Sequence, residues 1–257
     1  MSAPAATGLG RLAGRRYLVR WRGLEVSSYL AMLYLGCVVG VFVGAAVSGS
    51  YGLGESRAAL ALIILLVPAL AGSRIWFVLE HWSVYRREPR RIWRRSEGGS
   101  ALYGGLLLSL AVSVPLLSVL EIPYWTFWDA ASFTMLIGVV FTRVGCLMNG
   151  CCAGRATRGW WGIRLPDLNG VWERRIPTPL LEAGWATLVL VGAGLVSPDR
   201  PFAGAVLIYV LAAYGAGRLL LELTRAAAGT RGSWANVVAS GLLLAGAATA
   251  FLAHWSA

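Results

Sequence analysis

The stretch "WTFWDAASFTMLIGVVFTRVGCLMNGCCAGR", residues 125–155, decides how this chain folds. From Trp125 to Val140 it contains one charge, Asp129, and it then ends in arginine, asparagine, glycines and three cysteines. A helix needs about 20 mainly apolar residues to cross roughly 30 Å of hydrocarbon. The stretch therefore predicts a membrane-spanning helix that ends in a polar segment.

The composition of the whole chain is that of a membrane protein. Of its 257 residues, 57% are hydrophobic and 14% are charged, whereas soluble domains carry about 25% charged residues. Because only helices and closed barrels satisfy every backbone amide in lipid, the apolar runs predict an all-α, polytopic bundle of seven transmembrane helices. Long connections separate spans two and three and spans four and five. The predicted spans are 26–48, 57–80, 101–120, 126–147, 178–197, 202–224 and 233–254.

The segment before the first span, residues 1–25, contains five arginines. It lacks a short apolar core followed by a small-residue cleavage site, so we expect an uncleaved signal anchor rather than a removable signal peptide. Residues 26–257 are expected to form a single seven-span transmembrane domain.

All 23 basic residues are arginine, and they are distributed unevenly. The N-terminal segment and the connections at 81–100, 148–177 and 225–232 share one face and contain 5, 6, 5 and 2 arginines. The positive-inside tendency places this face in the cytoplasm. Alternatively, the arginines bind anionic lipid head groups on whichever face handles lipid. The count alone does not separate the two interpretations.

Some charges lie within or at the edge of the predicted spans. A charge at the centre of a membrane helix costs about 3 kcal/mol on insertion scales, so such residues usually face a polar cavity. Arg218 and Glu222 are four residues apart and therefore share a helix face. The charges form either a substrate cavity or a structural ion pair that locks two helices. The arginines and their candidate partners are Arg74, Arg143, Arg218, Asp129, Glu182 and Glu222.

Span three opens with two glycine pairs in "EGGSALYGGLL", residues 97–107. Glycine permits close backbone approach. Gly98, Gly99 and Gly104 therefore indicate either a ligand close to the backbone or tight helix packing, which small residues commonly mediate in membranes.

The chain has four cysteines: Cys37, Cys146, Cys151 and Cys152. They give no disulfide framework, since adjacent cysteines seldom pair with each other. We expect Cys151 and Cys152 to be small, soft residues that fill the bend after span four. The alternatives are a covalent thioether intermediate and a metal site. Because the histidines, His81 and His254, are not at ligand spacing, we predict no metal and no cofactor.

Six separate stretches, in order, resemble the prolipoprotein diacylglyceryl transferase family. The most specific piece is the family signature G-R-x-G-N-F-x-N-x-E-x-x-G-R, which Arg143, Gly145, Asn149, Gly150, Gly154 and Arg155 fit at the expected spacing. The stretches are "SYLAMLYLG" (28–36), "GSRIWFVLEHW" (72–82), "EGGSALYGGLL" (97–107), "RVGCLMNGCCAGR" (143–155), "PTPLLEAG" (177–184) and "GAGRLLLELTR" (215–225).

The resemblance implies a multi-pass enzyme of the bacterial inner membrane. Such an enzyme transfers the diacylglyceryl group of phosphatidylglycerol to the lipobox cysteine thiol of a preprolipoprotein, and glycerol-1-phosphate leaves. The implied partners are phosphatidylglycerol, the preprolipoprotein signal peptide and membrane lipid, with no nucleic acid. Arg143 and Arg218 are then the main catalytic charges, and Glu222 and Tyr103 are candidates for proton transfer. The substrate-binding positions are Tyr29, Arg74, Gly98, Gly99, Gly104, Asp129, Asn149, Gly154, Arg155 and Glu182.

The chain departs from the family pattern at several positions, including the family's H-P-S-Q-x-x-E, which reads I-P-T-P-L-L-E at residues 176–182. Tyr103 replaces a histidine, and Cys146 and Cys151 replace the asparagine and the glutamate of the signature. Base catalysis typically contributes about 10² to 10⁴-fold, and a thiol is already a few per cent thiolate at neutral pH, so loss of the histidine need not abolish transfer. The substitutions leave two alternatives open: a different acceptor for the same lipid donor, or a non-catalytic protein that binds anionic lipid.

Overall fold

The computed structural model describes residues 12–21, 24–86, 88, 102–167, 170–225 and 231–255. The helices in this part of the chain are α1 (Ser28–Ser50), α2 (Glu55–Glu80), α3 (Trp82–Tyr85), α4 (Leu102–Val119), α5 (Tyr124–Asn149), α6 (Thr178–Val196), α7 (Ala205–Glu222) and α8 (Arg231–Trp255). The strands are β1 (Tyr17–Trp21), β2 (Leu24–Ser27), β3 (Ile163–Pro166) and β4 (Trp172–Arg175).

The long helices coincide with the predicted spans. Within the described residues, six helices are long and apolar enough to cross a membrane, namely α1, α2, α5, α6, α7 and the part of α8 from Asn236 to Ala253. The third predicted span corresponds to α4, which is apolar over Tyr103–Val119 but shorter than the others. Large apolar side chains such as Phe42 and Leu195 are about three-quarters exposed, as lipid-facing surfaces require. The prediction of an all-helical, polytopic membrane protein is thereby confirmed.

Two short β-hairpins were not predicted from the sequence. Strand β1 pairs antiparallel with β2, and β3 pairs antiparallel with β4 in the connection between α5 and α6. A turn signal for the second hairpin was present, because Asp167 and Gly170 occupy the first and last positions of a turn. Gly170 has φ +82°, and its N–H donates to the Asp167 carbonyl at 3.0 Å.

The described chain divides into two compact units. The first contains residues 1–43 and 132–257, and in it α6 packs on α7 and α7 packs on α8. The first half of α1 lies against α5, where Gly36 and Gly40 allow close approach. The Thr134 hydroxyl donates to the Gly40 carbonyl at 2.7 Å and stabilises this contact.

The second unit contains residues 44–131, and its main contact joins α2 to α4. A Cβ added at Gly105 would lie 2.6 Å from the carbonyl oxygen of Ala69, so the helix backbones approach closely there. At the other end of α4, the Trp128 indole donates to the Ser113 hydroxyl at 3.0 Å.

Candidate active site

A buried carboxylate, Glu182, is the centre of an ion cluster in the first unit. Its Oε1 accepts hydrogen bonds from Arg218 Nη1 at 2.7 Å and from Arg225 Nη2 at 2.8 Å. Its Oε2 lies 2.8 Å from Arg143 Nε, an ion pair without hydrogen-bond geometry. One carboxylate therefore pairs with guanidinium groups from α5, from α7 and from the segment after α7.

A second buried carboxylate, Glu222, lies at the edge of this cluster. Its Oε2 is 3.4 Å from Arg218 Nη2 and 3.7 Å from Arg225 Nε. Within the described part of the chain, this oxygen accepts no hydrogen bond. Buried oxygens without hydrogen bonds are rare in native proteins and call for an explanation, such as a catalytic role. Glu222 Oε2 is therefore available to accept a hydrogen bond or a proton.

The secondary structure explains why these charges converge. Pro177 precedes α6, whose second turn contains Glu182. Arg143 lies in the last two turns of α5, and Arg218 and Glu222 lie four residues apart on one face of α7. The C-terminal ends of α5 and α7 and the N-terminal end of α6 thus meet at one polar cluster.

The cluster carries an excess of positive charge. Its charged groups, among the described residues, are Arg143, Arg218, Arg225, Glu182 and Glu222, so one positive charge is left over. The side chains of Arg143 and Arg225 are 16% and 20% exposed, against 8% for Arg218 and 4% for Glu182. Guanidinium remains charged even when desolvated and can form paired hydrogen bonds to phosphate. The accessible side of the cluster can therefore bind an anionic head group.

Gly154, a glycine of the family signature, helps to position Arg225 through backbone contacts. Its N–H donates to the Ile176 carbonyl at 3.1 Å, and the N–H of Arg155 donates to the Thr224 carbonyl at 3.1 Å. Gly154 and Arg225 form an antiparallel β-bridge. The segment after α5 thus crosses between the start of α6 and the end of α7.

Replacing Gly154 with alanine is expected to destabilise this crossing by about 1–3 kcal/mol through overpacking. An added Cβ would lie 2.5 Å from both Ile176 O and Thr178 Oγ1, and 2.8 Å from Thr224 O. Thermal unfolding of the detergent-solubilised protein measures the effect. Gly184→Ala is the matched control, since its added Cβ meets nothing within 4 Å. Equal melting temperatures for the two variants would contradict the tight crossing.

The end of α5 forms a Schellman motif. The N–H of Gly150, at φ +74°, donates to the Leu147 carbonyl at 3.4 Å, and the N–H of Cys151 donates to the Cys146 carbonyl at 3.1 Å. This hydrogen-bond pattern brings the side chains of the two bonded outer residues together. Cys152 follows in the left-handed region, with φ +58°. The sulfur atoms of Cys146, Cys151 and Cys152 all lie within 4.8 Å of one another.

The two cysteines beyond α5 differ in acidity. Hydrogen bonds from Cys146 and Cys151 and the charges of Arg143 and Arg225 lower the pKa of Cys152 well below its usual value. A hydrogen bond from Cys146 lowers the pKa of Cys151, but its bond to Cys152 and burial outweigh this and raise the pKa to about 11. Of these two thiols, Cys152 is therefore the more acidic.

Three other predicted positions lie in the same unit. Tyr29 packs against α5 at Gly145, two residues after Arg143, where an added Cβ would lie 3.3 Å from Tyr29 Cα. The side chain of Asn149 contacts Cys151. Arg155 is exposed, and its backbone takes part in the crossing. Their assignment to substrate binding stays a prediction.

The remaining predicted positions do not belong to this unit. Tyr103, Arg74, Gly104 and Asp129 lie in the second unit. Asp129 is fully buried, and Arg74 lies 5.6 Å from the centroids of two aromatic rings. Gly104 packs against Gly72 and Trp76, which fits the helix-packing interpretation of the glycine pairs. Gly98 and Gly99 lie outside the described residues.

Two residues of the cluster were missing from the predicted site. Arg225 pairs with Glu182, and its position seven residues after Arg218 was the available signal. Tyr214, one turn before Arg218, is buried and lies near both Arg143 and Arg218. In the sequence Tyr214 is one aromatic residue in an apolar helix, so nothing there distinguished it from a packing residue.

Comparison of the sequence with known protein families identifies the family of this chain. Residues 16–252 match the family model described as prolipoprotein diacylglyceryl transferase. The chain belongs to this family. The resemblance read from the six sequence stretches is therefore confirmed, and the ion cluster of Arg143, Glu182 and Arg218 lies within the matched region of this prolipoprotein diacylglyceryl transferase family member.

Curated members of the transferase family show moderate identity to the chain. All three relatives described here are named phosphatidylglycerol–prolipoprotein diacylglyceryl transferase. The protein from Trichormus variabilis is 29% identical over 172 residues, 62% of this chain and 61% of the relative. The protein from Tropheryma whipplei is 31% identical over 179 residues, 65% of each chain. The protein from Clostridioides difficile is 24% identical over 200 residues, 78% of this chain and 79% of the relative. The chain thus spans less than two thirds of the length of the first two.

Proposed function

We propose that the protein transfers the diacylglyceryl group of phosphatidylglycerol to the lipobox cysteine thiol of preprolipoproteins in the bacterial inner membrane. Its substrates would be phosphatidylglycerol and the signal peptide that contains the lipobox cysteine. Membership of the transferase family and the names of the relatives support this reaction.

The observation that carries the proposal is the pairing of three arginines with the single carboxylate of Glu182. Moving charges out of water into a membrane protein's interior is costly, and a purely structural pair would need only one partner for each charge. Here the excess charge is shared by Arg143 and Arg225, whose side chains are the more exposed ones. Such a site can bind the phosphate of an anionic lipid and stabilise its leaving group.

The chemistry of the reaction requires this arrangement of charge. The sulfur of the acceptor attacks the phosphate-bearing carbon of the diacylglyceryl group, and a carbon–sulfur bond forms as the bond from that carbon to the phosphate oxygen breaks. The electron pair of the broken bond stays on the phosphate oxygen, so glycerol-1-phosphate leaves with added negative charge. Fixed cations aimed at developing charge are often the largest single contribution to catalysis. Arg143 and Arg225 would supply that contribution, and Arg218 would position Glu182.

The thiol proton needs an acceptor. Glu222 Oε2 is buried, lies beside two arginines and accepts no hydrogen bond from any described residue. We assign it the role of proton acceptor, with Tyr103 as the alternative that the sequence indicated.

A second candidate function keeps the fold and the lipid donor and changes the acceptor. The substitutions at Tyr103, Cys146 and Cys151 favour it, because they replace three polar residues of the family pattern. A small alcohol or a different thiol would then receive the diacylglyceryl group.

Transfer in a defined system tests both candidates. We expect purified protein in detergent micelles with phosphatidylglycerol to increase the mass of a lipobox peptide by one diacylglyceryl group. The same peptide with serine in place of cysteine should remain unmodified. Mass spectrometry of the peptide and an assay for glycerol-1-phosphate are the measurements. Release of glycerol-1-phosphate without peptide modification would support the second candidate and overturn the first.

A further inference from the structure

Three thiol groups meet beside the ion cluster. The sulfur atoms of Cys146, Cys151 and Cys152 lie within 4.8 Å of one another, and the residues range from buried Cys146 to exposed Cys152. The fourth cysteine, Cys37, lies on α1. The sequence favoured a packing role for the cysteines after α5, but packing alone does not require three sulfurs to face one point.

Two features of the backbone bring the three thiols together. The Schellman motif of α5 brings Cys151 next to Cys146, and the Cys151 thiol also contacts the Cys146 carbonyl, with sulfur and oxygen 3.6 Å apart. The left-handed conformation of Cys152, with φ +58°, then turns the chain back toward the helix end. Strained backbone of this kind in a residue other than glycine concentrates at functional sites.

The separations suit a shared metal ion. Zinc–sulfur bonds of about 2.3 Å at tetrahedral angles place sulfur atoms about 3.8 Å apart. The observed upper limit of 4.8 Å therefore needs shifts of less than an ångström at each sulfur. A disulfide would need an approach to about 2.0 Å with a specific dihedral angle, and it would leave the third thiol unused.

We propose that Cys146, Cys151 and Cys152 bind one Zn²⁺ through three thiolates, and that the fourth position takes the acceptor thiol of the substrate. Thiolates are the ligands that thiophilic ions prefer, and three protein ligands with an open position are the pattern of a catalytic zinc site. The exposed side of Cys152 gives access to the fourth position.

The surrounding charge is suited to this complex. Three thiolates and one Zn²⁺ carry a net charge of minus one. Arg143 and Arg225 both act electrostatically on Cys152, so cations already face the site. The same arginines pair with Glu182, which places the thiols next to the proposed phosphate-binding groups.

The proposal that the acceptor thiol binds Zn²⁺ rests on the proposed function. A Zn²⁺ ion held by the three cysteines would favour loss of the acceptor thiol's proton to Glu222 or to solvent. The sulfur would then attack the diacylglyceryl carbon that bears the phosphate, and the bond from that carbon to the phosphate oxygen would break without any change in oxidation state. A metal-activated thiol would compensate for the histidine that Tyr103 replaces.

The metal content of the purified protein tests, without reference to activity, whether the three cysteines bind Zn²⁺. We expect the reduced, detergent-solubilised protein to retain about one equivalent of Zn²⁺ after dialysis, and Co²⁺ in its place to show thiolate-to-cobalt charge-transfer absorption. Changing Cys146, Cys151 or Cys152 to serine should weaken Zn²⁺ binding by at least about 100-fold. Cys37→Ser is the matched control and should bind as the unaltered protein does. Retention below a tenth of an equivalent, or equal binding by all four variants, would overturn the site.

Folding of the variants is checked separately. Size-exclusion elution and metal-free thermal unfolding of the serine variants should match those of Cys37→Ser, so a loss of Zn²⁺ reports on ligands rather than on misfolding. If the metal-free protein forms a disulfide among these cysteines and never binds Zn²⁺ after reduction, the proposal fails.

The fourth position is tested with the acceptor itself. A lipobox peptide with cysteine should change the Co²⁺ spectrum, whereas the serine peptide should not. Metal binding without a response to the cysteine peptide would overturn the acceptor role. Transfer by a protein that binds no Zn²⁺ would overturn the zinc site and leave the proposed function intact. A change of the Co²⁺ spectrum with the cysteine peptide, but without transfer, would support the zinc site and overturn the proposed function.

Discussion

Replacing Arg143 with alanine is expected to reduce diacylglyceryl transfer by about 10² to 10³-fold, the usual effect of removing one donor that stabilises transition-state charge. Arg143 combines a 2.8 Å ion pair to Glu182 with a side chain that is 16% exposed, so it can contact both the cluster and a bound phosphate. Lysine at this position should restore only part of the rate, because it keeps the charge but lacks the planar pair of donors. Initial rates with phosphatidylglycerol and a lipobox peptide, per amount of folded protein, are the measurement.

Arg175→Ala provides a matched control for that loss. Its side chain is 14% exposed and ion-paired at 2.7 Å to Glu173, much like Arg143, but it lies on β4 and pairs with no residue of the cluster in the described chain. We expect its transfer rate to change by less than about threefold, because its ion pairs are with Asp167 and Glu173 and not with the cluster. An Arg143 variant that remains as active as the Arg175 variant would exclude the proposed phosphate contact.

The second large effect concerns Glu182. Its replacement with alanine leaves three guanidinium groups close together without their shared carboxylate, and breaking a buried pair in this way costs about 3–5 kcal/mol. We expect the thermal unfolding temperature in detergent to fall by several degrees. A second replacement, Arg218→Ala in the same protein, should recover part of the loss by removing one uncompensated charge.

Glu173→Ala is the control for the Glu182 variant. Glu173 also pairs with an arginine at 2.7 Å, but its side chain is 48% exposed, so solvent screens the pair. We expect its unfolding temperature to remain within about a degree of the unaltered protein. A fall as large as that of Glu182→Ala would mean that burial of the cluster contributes nothing to stability.

The spans were predictable from the sequence because membrane helices depend on local composition. Each apolar run must satisfy its own backbone in lipid, so its length and boundaries are visible without tertiary information. The spacing of Arg218 and Glu222 was likewise a local signal that the structure bears out as an ion pair. The resemblance identified Arg143 and Glu182, but the sequence did not show that they pair with each other.

What the sequence did not reveal depends on contacts between distant segments. The position of Arg225 is set by a bridge to Gly154, seventy-one residues earlier in the chain. The meeting of three thiols requires a left-handed Cys152, a conformation that no residue pattern near it demands. Both hairpins are short, with strands of four or five residues, and such short runs resemble ordinary connections between spans.

The ion cluster also bears on how the chain enters the membrane. During synthesis Arg143 emerges 39 residues before Glu182, and Arg218 follows only 36 residues after that. Until the later segments arrive, α5 carries a cation without its partner, which disfavours its release into lipid. Insertion of α5, α6 and α7 should therefore be cooperative, with the nascent helices kept together at the translocation machinery until the charges have met.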